Sequence, residues 1–468
     1  MSVRILLYNP ISGHGHMDEW HAMFASILLQ RGYTVYCFTF DTEALLSRLR
    51  QRGMEQHPNV AILPCPDPYY ASTPAHAPGR HFKERVYNSL RGISSTYVKR
   101  LQGSHTIPDM PWMRRCKKRL AQLLLPPVYT VFAAIRQSTR FEPSVGVTQA
   151  VSDAEAGYLS PEDWGRRMKN TLQTLPPGRY FLFNMFMDMY KTDKSSWKEF
   201  ARHCRLPWSG LRVNPSPMPR EAYYALPAMR GMCLLDEALC RTYAAVLPKK
   251  RFACLPDVAV ATVPTVPPAI ARTITRCAAG RKVVFMGGSI GGQKNITQWG
   301  ELIRLADPQR FFFAQIGEIH YGACSQEEQG ILRALAADPP ENFFIHERYL
   351  PDERDFNACI AASHIIFAVY KDFRNSSNMP GKAAAFAKPI LVSDRYLMGE
   401  RIQHYGLGAA VPEDNATAIL AALERLIQSP PAPENFAAYN AEHNEEAMGL
   451  ALKNYFDACQ YDTERENG

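Results

Sequence analysis

The chain has 468 residues, 46% of them hydrophobic and 21% charged, with a formal net charge of +8. These are globular values; they exclude a disordered or fibrous chain, and the length makes two domains the default. The positive balance fits an anionic partner, and small anionic ligands, anionic lipid and nucleic acid all qualify. The 11 cysteines are scattered without a C-x-x-C pair, which reads as thiols of a reducing compartment. The opening MSVRILLYNP lacks the apolar core of a signal peptide. No apolar run reaches the roughly 18 residues of a spanning helix. The longest, Leu123 to Ile135, is split by Pro126 and Pro127. A soluble or peripheral protein on the cytoplasmic side is expected.

In chain order, Arg4–Tyr8 reads as a buried strand and Asn9–His16 as a loop with a pair of glycines and a pair of histidines. Met17–Arg31 is an amphipathic helix with Trp20, Phe24, Ile27 and Leu28 on one face, ended by Gly32. Thr34–Phe40 is the second strand. Asp18 and Glu19 favour the helix start by charge.

Residues 69–140 do not read as regular βαβ. Between Arg80 and Arg119 stand eleven Lys or Arg and two acids, Glu84 and Asp109. Trp112, Met113, Cys116, Leu120, Leu123 and Leu124 make an apolar stripe at helical spacing, opposite Arg114, Arg115, Lys117, Lys118 and Arg119. Such a basic amphipathic helix suits an anionic membrane surface, or packs on its own domain with a solvated basic face. Nucleic acid is not expected, since no recognition motif appears and the aromatics are not interleaved as stacking platforms.

Pro161–Leu175, capped by Ser160, reads as a helix, and Tyr180–Met185 as the last sheet segment of the first domain. Leu235–Val246 reads as a helix. Leu255–Pro268, rich in proline and without helical period, is the expected linker. The expected division is an N-terminal domain over 1–255 with the basic insertion 69–140, a linker 256–268, a C-terminal domain 269–445, and a tail 446–468 crossing back.

RKVVFMGGSIGGQKN, Arg281 to Asn295, holds the most informative pattern. A short strand runs into Gly287, Gly288, Gly291 and Gly292, and a helical pattern opens at Lys294 and Asn295. Strand, glycine loop and helix is how α/β folds present backbone N–H groups to phosphate. A plain glycine turn has the same appearance. Strand and helix patterns then alternate. Phe311–Ile316, Phe343–His346, Ile365–Val369 and Pro389–Ser393 are strands. Gln326–Ala337, Asp352–Ala362, Met379–Ala387 and Ala416–Gln428 are helices. This argues an α/β fold with a doubly wound parallel sheet, whose ligands sit outside the carboxyl ends of the strands.

FMGGSIGGQKNI, ERYLPDERDFNACIAASHIIFAVY and NMPGKAAAFAKPILVSD resemble the nucleotide-sugar half of GT-B glycosyltransferases, closest to family 4, over roughly residues 255–430. The resemblance implies that the loop Gly287, Gly288 and Ser289, with Lys294, meets the donor diphosphate. It implies that the turn from Arg348 to Leu350 borders the base, and that Ser376, Ser377 and Asn378 hold phosphate or donor sugar. Lys382 would join Lys294 in stabilising the leaving diphosphate; a solvated surface lysine is the alternative. At the N-terminus, Gly15-His16 and Arg31-Gly32 are similar to GT-B families 1 and 28. By that resemblance His16 is the base that deprotonates the acceptor, with His14 and Gly15 on the acceptor side. His16 or His14 could instead bind acceptor or cap the helix, and Asp18 or Glu19 could orient the imidazole.

Departures are clear. Ser289 stands where the family has arginine. Its Glu-x7-Glu pair falls on Arg374 and Lys382, so the ribose contact and the usual retaining chemistry have no counterpart there. The whole reading implies two Rossmann-like domains facing across a cleft. It implies a hexosyltransferase-like enzyme of polysaccharide biosynthesis, using a nucleotide sugar as substrate, with a glycan or glycolipid acceptor and no cofactor. No D-x-D triplet occurs, which argues against a metal-anchored donor. A nucleotide-sugar epimerase or a non-catalytic scaffold of the same fold are the alternatives.

Overall fold

Seven strands form one parallel sheet and six form a second in the computed structural model, which describes residues 3–10, 17–65, 159–190 and 192–467. The basic stretch 80–125 and the loop 11–16 lie outside the described residues.

The first sheet comprises β1 (Arg4–Tyr8), β2 (Thr34–Thr39), β3 (Val60–Pro64), β4 (Tyr180–Asn184), β5 (Trp208–Arg212), β6 (Gly231–Leu234) and β7 (Arg251–Cys254), in the order β3-β2-β1-β4-β5-β6-β7. The second comprises β8 (Lys282–Gly287), β9 (Phe311–Ile316), β10 (Phe343–His346), β11 (Ile365–Ala368), β12 (Ile390–Ser393) and β13 (Gly408–Val411), in the order β10-β9-β8-β11-β12-β13. In each sheet the order reverses after its first strand, so each carries a switch point, between β1 and β4 and between β8 and β11. Strands covered by helices on both faces need no polar side, and Phe311–Ile316 is buried at every residue.

β5, β6 and β7 correct the expectation that Tyr180–Met185 ends the first sheet. Ser209, Gly210 and Arg212 interrupt the apolar pattern of β5, and β6 is only four residues long and opens on Gly231. The helices near 161 and 235 start on side chains: Ser160 accepts from Asp163 N and Asp236 from Leu239 N. They end or begin a few residues inside the expected bounds, at Leu172 and Glu237.

One face of the first sheet is closed by the helix Met17–Gln30 and by the last helix, Glu445–Asn467. Met448, Leu452, Tyr455, Phe456 and Cys459 of that last helix enter this core, and Tyr455 Oη meets Ser209 Oγ. The opposite face carries an aromatic cluster. Trp164 stacks on Phe200 at 4.5 Å and Trp197 on Trp208 at 5.5 Å. Among the described residues no helix is long and apolar enough to cross a membrane.

Candidate functional site

β8 ends at Gly287, and the chain turns through Gly288 into a short 3-10 turn, Gly292–Lys294. Gly288 has φ 95° and Gly317, after β9, has φ 143°; L side chains rarely enter this region. A Cβ on Gly317 would stand 1.8 Å from the Gly288 carbonyl oxygen. The loops after β8 and β9 therefore meet backbone to backbone. Gly317 N–H donates to His346 O at 2.9 Å, which joins the end of β10 to the same surface. Gly288 and Ile290 donate to Ile316 O and Glu318 O. Among the described residues the N–H groups of Ser289 and Gly291 donate to no backbone carbonyl.

The next helix begins at Ile296, two residues later than the pattern suggests, because Asn295 adopts φ 57°. The Asn295 side chain donates to Glu413 O at 2.6 Å and does not cap the helix. The first N–H groups of that helix thus have no side-chain cap.

Lys294 closes the loop. Its Nζ donates to Gly287 O at 3.0 Å and to Tyr370 Oη at 2.7 Å, and it lies 4.2 Å from the Tyr370 ring centre. Gly287 ends β8, and Tyr370 follows β11. These strands are neighbours, and the order of the sheet reverses between them. The ammonium therefore spans the switch point, where α/β sheets bind ligands. It has three N–H donors, of which these two contacts engage two.

Beside it lies a charged group that the sequence reading did not single out. Tyr396 donates to Asp372 Oδ1 at 2.7 Å, and Arg374 and Arg395 lie over the Tyr396 ring at 4.5 and 4.8 Å. Arg395 also donates to Glu413 at 3.0 Å, and Asp372 N–H to the same carboxylate at 3.1 Å. The Tyr396 hydroxyl, then the two guanidiniums, hold the Asp372 carboxyl below its ordinary range. Asp372 at φ 45° and Tyr396 at φ 60° are strained, as residues at ligand sites often are. The available signal is that YKDFR, SDRY and VPED each place charge directly after a strand.

Lys382 and Ser376 are engaged within the protein. Lys382 is not a solvated lysine: its side chain is fully buried, and Nζ donates to Val260 O, to Glu353 Oε1 at 2.6 Å and to Asn357 Oδ1 at 2.6 Å. Its three donors are thus all engaged, leaving none for a phosphate. Burial, against the pull of Glu353, holds its amine below the ordinary lysine range. Ser376 donates to Asp257 and accepts from Arg401 at 2.8 Å. Lys382 and Ser376 therefore fasten the segment 257–262, which connects β7 to the second sheet. Ser377 Oγ accepts from Met379 N, and Asn378 precedes the helix Met379–Ala385. Ser289 and Arg348 are exposed, and Arg348, after burial, is a further cause of the lowered pKa of His346 at the end of β10.

Arg401 is buried and links both sheets' elements, donating to Ser376 and to Leu235 O and pairing with Glu237 at 3.1 Å. Arg401→Ala leaves buried acceptors without a donor, and urea titration should show a loss of about 3 kcal/mol. A loss near zero would mean that the connection is held elsewhere.

His443 Nδ1 accepts the Asp257 N–H at 3.2 Å, and its ring stacks on Tyr439 at 4.0 Å. Burial, then the Arg401 charge, lowers its pKa from 6.5 to about 4. The unfolded chain then takes up the proton first. The stability given by neutral His443 is complete above about pH 6.5 and is lost as pH falls towards about 4. His21, buried and lowered to about 3, acts in the same direction. Unfolding midpoints should therefore fall less steeply with acid in His443→Gln than in the wild type. Equal slopes would remove His443 as a contributor.

On the first sheet, His14, Gly15 and His16 lie outside the described residues. Of their neighbours, Asp18 accepts from the Asn9 side chain at 3.4 Å, and Glu19 pairs with Arg48 and Arg52 at 3.4 and 3.2 Å. The Glu19 charge bears on Arg354 and Lys382, and that of Arg48 on Asp352. The helix that follows β1 thus faces the segment that follows β10, and the carboxyl ends of the two sheets meet across this line.

No protein-family model and no curated protein sequence matches the chain. Solved structures do. Anabaena HepE, in complex with UDP and glucose, matches with TM-score 0.56 at 10% identity, covering 97% of this chain and 100% of that one. An E. coli trehalose-6-phosphate structure bound with UDP-2-fluoro glucose matches with TM-score 0.52 at 11% identity, covering 99% and 98%. Thermosynechococcus elongatus sucrose-phosphate synthase gives TM-score 0.52 at 11% identity, covering 97% and 98%. The fold is GT-B. Its two sheets meet at their carboxyl ends, and in this GT-B chain the glycine loop lies on the second of them.

Proposed function

We propose that the chain transfers a glycosyl group from a nucleoside diphosphate sugar to a glycan or lipid-linked acceptor. One observation carries this reading: Lys294 stands across the β8–β11 switch point beside a glycine loop whose Ser289 and Gly291 N–H groups donate to no backbone carbonyl among the described residues. A diphosphate set against Gly287 to Lys294 would meet one cation, the Ser289 and Gly291 N–H groups and an uncapped helix start. Those fixed dipoles would stabilise the leaving diphosphate as the glycosidic bond to the donor breaks. Arg348, at the end of β10, would lie on the base side. His16 would take the acceptor proton from the other sheet. The structures most usefully compared contain UDP, so UDP-glucose is the first donor to try. The chain should release UDP from it slowly in water and faster with an acceptor. Binding without any turnover would leave a scaffold, and a rearranged sugar nucleotide would indicate an epimerase.

We also propose peripheral attachment to the cytoplasmic face of a membrane through residues 80–125, from their charge ratio and apolar stripe. The chain should float with anionic liposomes at low salt, and neutralising Arg114, Arg115, Lys117, Lys118 and Arg119 should reduce this. Failure to float with any anionic lipid at low salt would refute it.

A further inference from the structure

A second chemistry-bearing group lies away from the glycine loop. Glu162 sits in the first turn of the helix Pro161–Leu172, and Glu199 and His203 are four apart on the helix Lys194–His203. One ligand atom from each of these residues lies within 4.8 Å of the others. It is the one such trio among the described residues.

The helices can bring these side chains together because Gly165 has no side chain. A Cβ there would stand 3.0 Å from Phe200 Cα and 3.3 Å from His203 Cβ. Gly165 is three residues after Glu162, on the same helix face. Beneath lies a rigid aromatic floor: Trp164 and Phe200 are buried and stacked at 4.5 Å. The trio itself is half-buried. Each carboxylate gives Oε1 to an arginine of its own helix, Glu162 to Arg166 and Glu199 to Arg202. The other oxygens engage no other described residue.

We propose that Glu162, Glu199 and His203 form a three-ligand site for a divalent first-row metal ion, with Zn2+ as its probe. Two carboxylate oxygens and one imidazole nitrogen are a donor set that zinc accepts, with water in the fourth position. Bonds of about 2.0–2.2 Å put tetrahedral ligands about 3.4 Å apart, a closure that side-chain rotation supplies from the separation here. The ion would staple the helices that cover the aromatic face of the first sheet. Mg2+, which favours all-oxygen octahedral sites, would not replace it.

Full-length protein stripped with a chelator and dialysed should bind one more equivalent of Zn2+ than His203→Ala. At a free concentration of about 100 Kd, Zn2+ should raise the wild-type Tm by about 2–4 °C. Mg2+ should not, and Glu199→Gln and Glu162→Gln should lose most of the shift. Co2+ should give a visible spectrum without a thiolate charge-transfer band. Equal zinc shifts in wild type and all three variants, a thiolate band, or an equal effect of Mg2+ would each overturn the site. The two glutamine variants alter only half-exposed side chains, so the proposal stays testable if His203→Ala does not fold.

Discussion

His16→Ala should lower turnover by about 10²–10⁴-fold while leaving donor binding intact. The residue follows β1 and precedes the helix Met17–Gln30. A loop at a strand's carboxyl end and beside a switch point is where α/β sheets place ligands. Imidazole accepts a hydroxyl proton at neutral pH. Neither acid that follows is free to serve in its place: Glu19 is engaged by Arg48 and Arg52, and Asp18 holds Asn9. The variant should also lose the acidic limb of its pH–rate profile. If His14→Ala shows this behaviour and His16→Ala does not, the base is His14. Full activity in both variants with a true acceptor would send the search to mechanisms without an enzymic base.

Lys294→Ala should weaken UDP binding about 10–100-fold and leave uridine binding unchanged, because what is removed is a charge-assisted hydrogen bond to phosphate. The lysine is already held at the loop by Gly287 O and Tyr370 Oη, so little ordering remains to be done when an anion arrives. Tyr370→Phe makes a useful companion. It removes one acceptor without removing charge, and should change UDP affinity much less. Equal loss of UDP and uridine in Lys294→Ala would mean that the loop had collapsed and that the diphosphate assignment is wrong.

Five strands of the second sheet, β8 to β12, were legible in the sequence because they read as short apolar runs between caps; β13, a glycine, two alanines and a valine, was not. Phe311–Ile316 and Gln326–Ala337 show it, the latter with a full capping box at Ser325 and Glu328. The first sheet was legible only to β2 and again at β4. Trp208–Arg212 carries serine, glycine and arginine inside a buried strand, and Ser209 there meets Tyr455 of the last helix, distant in sequence. The turn at the glycines and Lys294 could be read because a strand running into glycines and then a helical pattern is a local signal. The partners of Lys382 and Ser376 could not be read. Nothing near them in the chain announces that Asp257 and Val260, more than a hundred residues earlier, take their donors. The group around Tyr396 escaped because it is assembled from the ends of β11, β12 and β13, and no local spacing encodes it.

The last helix supplies Met448, Leu452, Tyr455, Phe456 and Cys459 to the core of the first sheet. The ribosome makes those residues after every strand they cover. The opening strands must therefore wait, with one wall missing, until residues 445–459 have emerged. A stop codon just before Glu445 should harm the first sheet more than the second. Of the two sheets, the one synthesised first is the one that finishes folding last.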